Sequence, residues 1–447
     1  MRDFYDFSDT GNASLLCDLY GANLRFDPKT ERWLQWRDQH RWYELNPSHL
    51  QKLAIEAVNH RFELAKLCTD KAEAGKQASF AIRSRNLSNL TSMLKLASNM
   101  EPIGNYSIQW DNQPNLLAVG NGVMNLATGS LRPGQRNDFI TRGLSLPYLS
   151  TAKAPTWERF LQDITLHRPD LIDFLQRAFG YTLTGFTREQ VFFLLYGNGA
   201  NGKDTFTNII KYIIPEFAKD IRFSAFDENN TSDARRDIAE LPGMRAAFAS
   251  EGGKKVALET SSIKYITGGA TIATARKYGH PFEFKPQFKL WLATNVLPQV
   301  DDTSHGFWRR IVLIPFDATF DGASRDNEME SKLIAELPGI LAWAIRGAHL
   351  WSKQGLGTPD WLLLKVNEYR SAEDFVASFV EECCIEGSLE TIKAGILYES
   401  FCSWCEDNGI KPITNTDFGR RMGQKYPRGR KPDGIFYVGL GLKMKVE

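Results

Sequence analysis

Residues Val191-Phe192-Phe193-Leu194-Leu195-Tyr196 form an unbroken apolar run with no position left to face water. Such a run suits a strand buried on both faces of a parallel sheet. Similar runs recur at 245–249, 288–294 and 311–316, with helix-period segments between some of them. This alternation predicts an α/β core. On its N-terminal side, Phe160, Ile164, Leu171, Phe174, Leu175 and Phe179 recur at helical spacing from Trp157 to Leu183. On its C-terminal side the helical pattern resumes from Leu333 to Trp351.

The flanks have a different texture. Residues 1–100 open with an aromatic cluster (Trp33, Trp36, Trp42, Tyr43) and continue as a charged, helical stretch from Pro47 to Leu96. Leu116-Leu117-Ala118-Val119 and Val123-Met124-Asn125-Leu126 flank Gly120-Asn121-Gly122 and predict two short strands around a tight turn. The last sixty residues predict two helices and then a β pair, Ile435 to Val438 with Leu442 to Met444, the outline of a winged helix. Three regions follow: 1–150, 151–355 and 356–447. Leu397, Phe401, Trp404 and Cys405 lie at helical spacing, so a core stripe is expected there rather than the zinc site that Cys402 and Cys405 could form with Cys383 and Cys384.

Composition adds little. The net charge is +1 and 43% of residues are hydrophobic, ordinary values for a packed protein with no electrostatic bias. No apolar stretch is long enough for a membrane span and the N-terminus lacks a signal-peptide pattern, so the cytoplasm is the expected location. The charge is uneven, however. From Lys411 to Lys445 nine Lys and Arg residues, among them Arg420, Arg421 and Lys425, face two acids. That excess suits phosphate contacts, or a solvated basic tail.

The most informative motif is Gly197-Asn198-Gly199-Ala200-Asn201-Gly202-Lys203-Asp204-Thr205, set between the 191–196 strand and a helix predicted over 203–212. Strand, glycine loop, lysine and helix in this order form a phosphate loop. Lys203 is expected to reach the β- and γ-phosphates of a nucleotide. The pattern calls for Ser or Thr after the lysine, as a magnesium ligand, and Asp204 stands there. Thr205, one step on, points about 100° away around the helix. Asp204 can itself ligate magnesium, and it also brings negative charge toward the triphosphate.

Downstream, the 245–249 strand ends in Ser250-Glu251, which suits an acid that polarises the attacking water or supports the metal. Two alternating arms flank Arg276-Lys277-Tyr278-Gly279-His280, a hairpin with a basic, aromatic tip suited to phosphate contact and base stacking. The 288–294 strand ends in Asn295, placed to hold a water beside a γ-phosphate. Arg309 and Arg310 precede the last apolar strand, and one of them can serve as an arginine finger to a neighbouring subunit.

In this order the motifs resemble the helicase portion of phage and plasmid primase–helicases of superfamily 3, which are similar to the poxvirus primase–helicases. The resemblance runs from Asp9-Thr10-Gly11-Asn12 through Thr267-Gly268-Gly269 to Trp308–Phe316. It implies an AAA+-like core that binds ATP and magnesium, forms a hexameric ring and moves 3′ to 5′ along DNA. Lys203 would then be the Walker A lysine, Glu251 the Walker B acid, Asn295 the sensor and Arg310, ahead of Arg309, the finger. Lys277, Tyr278 and His280 would line the pore, with magnesium at Asp204 and Glu251. Single-stranded and forked or duplex DNA would be partners. A separate primase or initiator would be another, since no priming module precedes the helicase pattern. Asp204 and Ala270 depart from the pattern, Ala270 standing where an acid follows Thr-Gly-Gly. They leave open an alternative, an ATP-dependent DNA-binding ring or loader with little hydrolysis.

Overall fold

The computed structural model describes residues 5–37, 40–226, 236–250, 257–276, 279–302, 304–410, 412–432 and 434–443. Near the N-terminus, helix Asp9–Tyr20 begins where the Ser8 side chain accepts a hydrogen bond from the Gly11 N–H at 3.1 Å. A three-stranded antiparallel sheet follows (Leu24–Asp27, Arg32–Arg37, Arg41–Glu44), then helices Pro47–Leu67, Lys71–Ser84 and Leu87–Ala97. The buried Arg61 guanidinium joins three of these helices, donating to Asn12 Oδ1 at 2.6 Å and to Gln77 Oε1 at 2.9 Å. The predicted small β module is a meander of Leu116–Val119, Gly122–Asn125 and Ser130–Arg132. Its inner residues Leu117, Met124 and Leu126 join the core of the central region.

The central region contains β1 (Phe192–Tyr196), α1 (Lys203–Ile213), β2 (Ala218–Asp220), β3 (Ala246–Ser250), α2 (Thr260–Thr267), β4 (Ile272–Ala275), β5 (Pro281–Phe284), β6 (Lys289–Thr294) and β7 (Ile311–Pro315). Five strands form one parallel sheet in the order β7-β1-β6-β3-β2. The apolar runs explain this burial. Successive side chains alternate between the two faces of the sheet. Phe193, Leu195, Trp291, Ala293, Val312 and Ile314 pack into one core. Phe192, Leu194, Leu290, Leu292, Ile311 and Leu313 pack into the other. Helices Pro155–Ile164, Pro169–Leu183 and Leu337–Gln354 cover the first face. The last two approach closely at Gly180, where a Cβ would meet the backbone of Ala348.

Helix Asp360–Glu373 seats Val366 and Tyr369 on the second face, with the Tyr369 ring edge-on to Trp308 at 5.1 Å. Beyond it lie helix Phe375–Cys383, strand Cys384–Lys393, helices Ala394–Asp407 and Asn415–Lys425, and a hairpin of Arg428–Lys431 with Gly434–Leu442. Leu397, Phe401 and Cys405 are buried together, as the helical stripe predicts. Among the described residues, which end at 443, the predicted pairing of residues 435–438 with 442–444 does not occur. A single strand spans Gly434–Leu442 and pairs with Arg428–Lys431 on one side and Cys384–Lys393 on the other. Gly439 accounts for the difference: its φ of +88° is absorbed within the strand rather than opening a turn.

Candidate nucleotide site

The C-terminal ends of β1, β3 and β6 lie side by side, because these strands are parallel and share one register. Ligands in such sheets bind where neighbouring strands diverge to opposite sides, and β1 occupies that position here. The chain leaves β1 at Tyr196 and turns through 197–202 into α1. Three residues of the turn have left-handed backbones: Gly199 (φ +91°), Ala200 (+46°) and Gly202 (+86°). At Gly202 a Cβ would come within 2.6 Å of Ile164 Cγ2, so both conformation and space call for glycine. Asn201 fastens the turn by donating from Nδ2 to the Phe316 carbonyl at 3.1 Å, and the Phe320 N–H donates to the Ala200 carbonyl at 2.7 Å. Asn198 is exposed.

Lys203 opens α1 with its side chain buried. Its Nζ donates to the Gly197 carbonyl and to Asn295 Oδ1, the latter at 2.9 Å. Burial lowers the pKa of the ammonium from its ordinary value, and the Asp204 carboxylate acts in the opposite sense. Asp204 is exposed and Thr205 half-buried, both on the wall of a cavity of about 640 Å³. Ser250, the last residue of β3, and Asn295, the residue after β6, line the same cavity. This volume lies within the usual range for small-molecule sites. Among the described residues no group of three or more His, Cys, Asp or Glu side chains is placed to hold a metal ion by itself. Magnesium is ordinarily held by one or two carboxylates together with phosphate oxygens, and the Asp204 carboxylate fits that donor set. Glu251 lies outside the described residues.

The opposite wall was not legible in the sequence. It consists of Phe160 and Asp163, from the helix preceding the sheet, and a segment after β7 that includes Phe320, Arg325 and Glu330. Glu330 accepts from the Tyr212 hydroxyl at 2.9 Å. No short motif marks these residues; the fold brings them over the loop.

Arg309 and Arg310 do not reach this cavity. They precede β7 and so lie at the N-terminal end of the sheet, where Ile311 pairs with Phe192, while the loop follows Tyr196 at the other end. Arg309 is exposed and donates from Nη2 to Gln190 Oε1 at 2.8 Å. Arg310 is half-buried and turns back to the Gly306 carbonyl. Burial, then the charge of Arg309, lower its pKa. The predicted hairpin is present: β4 and β5 pair antiparallel, from Ile272 with Phe284 to Ala275 with Pro281. Arg276 stands over the Phe282 ring at 5.6 Å, and His280 is exposed. Lys277 and Tyr278, at the tip, lie outside the described residues.

In the C-terminal region the basic residues are placed differently from one another. Arg420 is exposed and pairs with Asp417 at 2.8 Å. Lys425 pairs with Glu386 at 3.0 Å. Arg421 instead turns toward the central region, donating to the Asp301 carbonyl at 2.5 Å and lying 5.5 Å from the Phe375 ring centroid. No helix of the described residues is long and apolar enough to cross a membrane.

Three family models match the chain: "D5 N terminal like" over residues 13–166, a family of unknown function over 195–310, and "Poxvirus D5 protein-like" over 371–437. A provisionally named helicase of Acanthamoeba polyphaga mimivirus is 25% identical over 419 residues, 84% of this chain and 43% of that protein. One from Invertebrate iridescent virus 6 is 24% identical over 427 residues, 86% of this chain and 43% of that protein. A provisionally named primase of African swine fever virus is 27% identical over 214 residues, 45% of this chain and 22% of that protein. The chain thus spans less than half the length of the curated relatives it matches. The solved C-terminal region of NrS-1 aligns over 96% of this chain and 99% of its own, at 12% identity and a TM-score of 0.49. With matches to D5 models near both ends and helicase- and primase-named relatives in large DNA viruses, the chain is related to the poxvirus D5 primase–helicase family.

Proposed function

We propose that the chain is an ATP-driven replication helicase that assembles as a hexameric ring and moves 3′ to 5′ along one DNA strand. The observation that carries this reading is the meeting of Lys203, the first residue of α1, and Asn295, the residue after β6, beside the ends of the adjacent parallel strands β1 and β6. A γ-phosphate between them would take the Lys203 ammonium as its counter-charge. Asn295 would then hold the attacking water. The water oxygen bonds to the γ-phosphorus as the bond from phosphorus to the β–γ bridging oxygen breaks, releasing ADP and phosphate. Glu251 follows Ser250, which lines the cavity, and would polarise that water. Bound magnesium would neutralise charge on the phosphate oxygens, held by Asp204 and Glu251.

The position of Arg309 and Arg310 supports a ring. They stand at the end of the sheet away from their own chain's loop, so one of them would serve a neighbour's nucleotide, Arg309 on leaving Gln190 or Arg310 on leaving the Gly306 carbonyl. The β4–β5 hairpin, with Arg276, Lys277, Tyr278 and His280 at its end, would track the DNA strand in the pore. The C-terminal unit has the strand, helix-pair and hairpin order of a winged helix. Its exposed Arg428 and Arg430 would add duplex contacts. DNA-stimulated ATP hydrolysis tests the reading; turnover indifferent to DNA would overturn it.

One observation favours a second reading. Asp204 places an exposed carboxylate where the phosphate loop calls for a hydroxyl. A chain that binds ATP and assembles on DNA without rapid hydrolysis would satisfy that geometry. ATP-dependent oligomers with negligible turnover would identify it.

A further inference from the structure

We infer that Gln190 is a positioning residue that couples the arginine pair to the base of the β4–β5 hairpin; this rests on the proposed DNA-stimulated ATPase. The Gln190 amide is used in both senses. Its Oε1 accepts from Arg309 Nη2 at 2.8 Å, and its Nε2 donates to the Gly268 carbonyl at 3.0 Å. Gly268 caps α2, and Gly269 (φ +75°) turns the chain toward β4. A single side chain therefore spans the segment carrying the arginines and the segment from which the hairpin rises.

The mounting of Gln190 is firm. Its backbone is left-handed (φ +54°), a conformation that non-glycine residues keep only where their surroundings enforce it. Its N–H donates to the Thr187 carbonyl at 3.0 Å. The two preceding residues anchor to helix Leu337–Gln354. The Arg188 guanidinium lies 4.2 Å from the Trp351 ring centroid, and Trp351 Nε1 donates to Glu189 Oε1 at 2.9 Å. Two residues beyond Gln190, the Phe192 N–H donates to the Arg310 carbonyl at 2.8 Å and β1 begins. That strand ends at the glycine loop. Gln190 thus stands at one end of β1 and the proposed phosphate site at the other, with the hairpin base and Arg309 both bonded to it. An amide can accept from a guanidinium and donate to a carbonyl at once, whereas a carboxylate can only accept.

The test compares the ratio of DNA-stimulated to basal ATP turnover in the full chain, with oligothymidine as the probe. Gln190→Gly deletes the amide and suits the left-handed backbone, so the fold is retained; thermal melting checks this. Gln190→Glu keeps the acceptor for Arg309 and opposes the Gly268 carbonyl. Both variants are expected to lower the ratio about fivefold or more. If the unsubstituted chain is stimulated and both variants keep its ratio, the role of Gln190 is overturned and the proposed function stands. If the unsubstituted chain is not stimulated, the proposed function falls and this inference with it.

Discussion

Lys203 Nζ and Asn295 Oδ1 lie 2.9 Å apart, joining the first residue of α1 to the residue after β6. The β1–β6 pairing sets this distance, because Tyr196 and Thr294 are register partners and each is followed by its functional segment. Replacing Asn295 with Ala removes the polar group proposed to hold water and leaves the residues of the glycine loop unchanged. The expected result is a fall in turnover of about 10²-fold with nucleotide affinity changed by less than about threefold. Steady-state kinetics beside equilibrium nucleotide binding would check it. Weakened affinity with normal turnover would assign Asn295 to binding instead.

Asp204 adds a negative charge beside the proposed triphosphate. The Asp204→Ser variant should bind ATP more tightly, by about tenfold for a relief of 1.4 kcal/mol, and should shift the magnesium concentration for half-maximal turnover. Titrations of both ligands compare it with the parent. Superimposable curves would mean that Asp204 touches neither the nucleotide nor the metal.

Gly199 and Gly202 have different constraints. A Cβ at Gly202 meets Ile164 and adopts a strained φ, whereas one at Gly199 is strained but meets nothing within 4 Å. Gly202→Ala should therefore cost about 1–3 kcal/mol and Gly199→Ala about 1 kcal/mol. Denaturant midpoints give the order. Equal costs would show that contact with Ile164 does not hold the loop.

Lys289 and Arg245 are buried neighbours at the start of β6 and β3. Lys289 Nζ donates to the carbonyls of Thr184, Phe186 and Gln287, and Arg245 donates to those of Leu183 and Leu116. Both therefore lie at the C-terminal end of helix Pro169–Leu183, where cations are favoured. Burial, then the charge of Arg245, holds the Lys289 pKa well below the lysine range. Between its folded pKa and the unfolded value near 10.4, the unfolded chain binds more protons, so stability rises with pH. The slope is at most about 1.4 kcal/mol per pH unit from this group. Urea midpoints from pH 7.5 to 9.5 should climb in the parent and climb less in Lys289→Met. Parallel profiles would remove Lys289 as the cause.

The basic residues of the C-terminal unit should separate into two groups. Arg428→Ala and Arg430→Ala should each weaken DNA binding and reduce the salt dependence by about one phosphate contact. Arg421→Ala should leave the salt slope unchanged and loosen the attachment at Asp301. Salt titrations of DNA affinity distinguish the groups; a reduced slope in Arg421→Ala would place that residue on DNA.

The sheet was legible because strands buried on both faces are apolar throughout, and the recurring runs are short for buried helices. The glycine loop was legible because left-handed turns and close contacts admit few residue types. The wall made by Phe160, Phe320 and Arg325 was not, since these residues come from separated segments that only the tertiary fold brings together. Gln190 was missed for the same reason: its bonds reach Arg309 and Gly268, and no local pattern marks it. The final strand shows the converse hazard: residues 435–438 and 442–444 read as two strands, while one strand runs through Gly439 and spans Gly434–Leu442.

The most direct measurement of the central claim is ATP hydrolysis by the full chain with magnesium, with and without single-stranded DNA, beside a Lys203→Ala control. Turnover that DNA raises and the control abolishes is the predicted result. Absence of turnover, or turnover that survives loss of Lys203, would contradict the assignment of the glycine loop as the engine of a DNA motor.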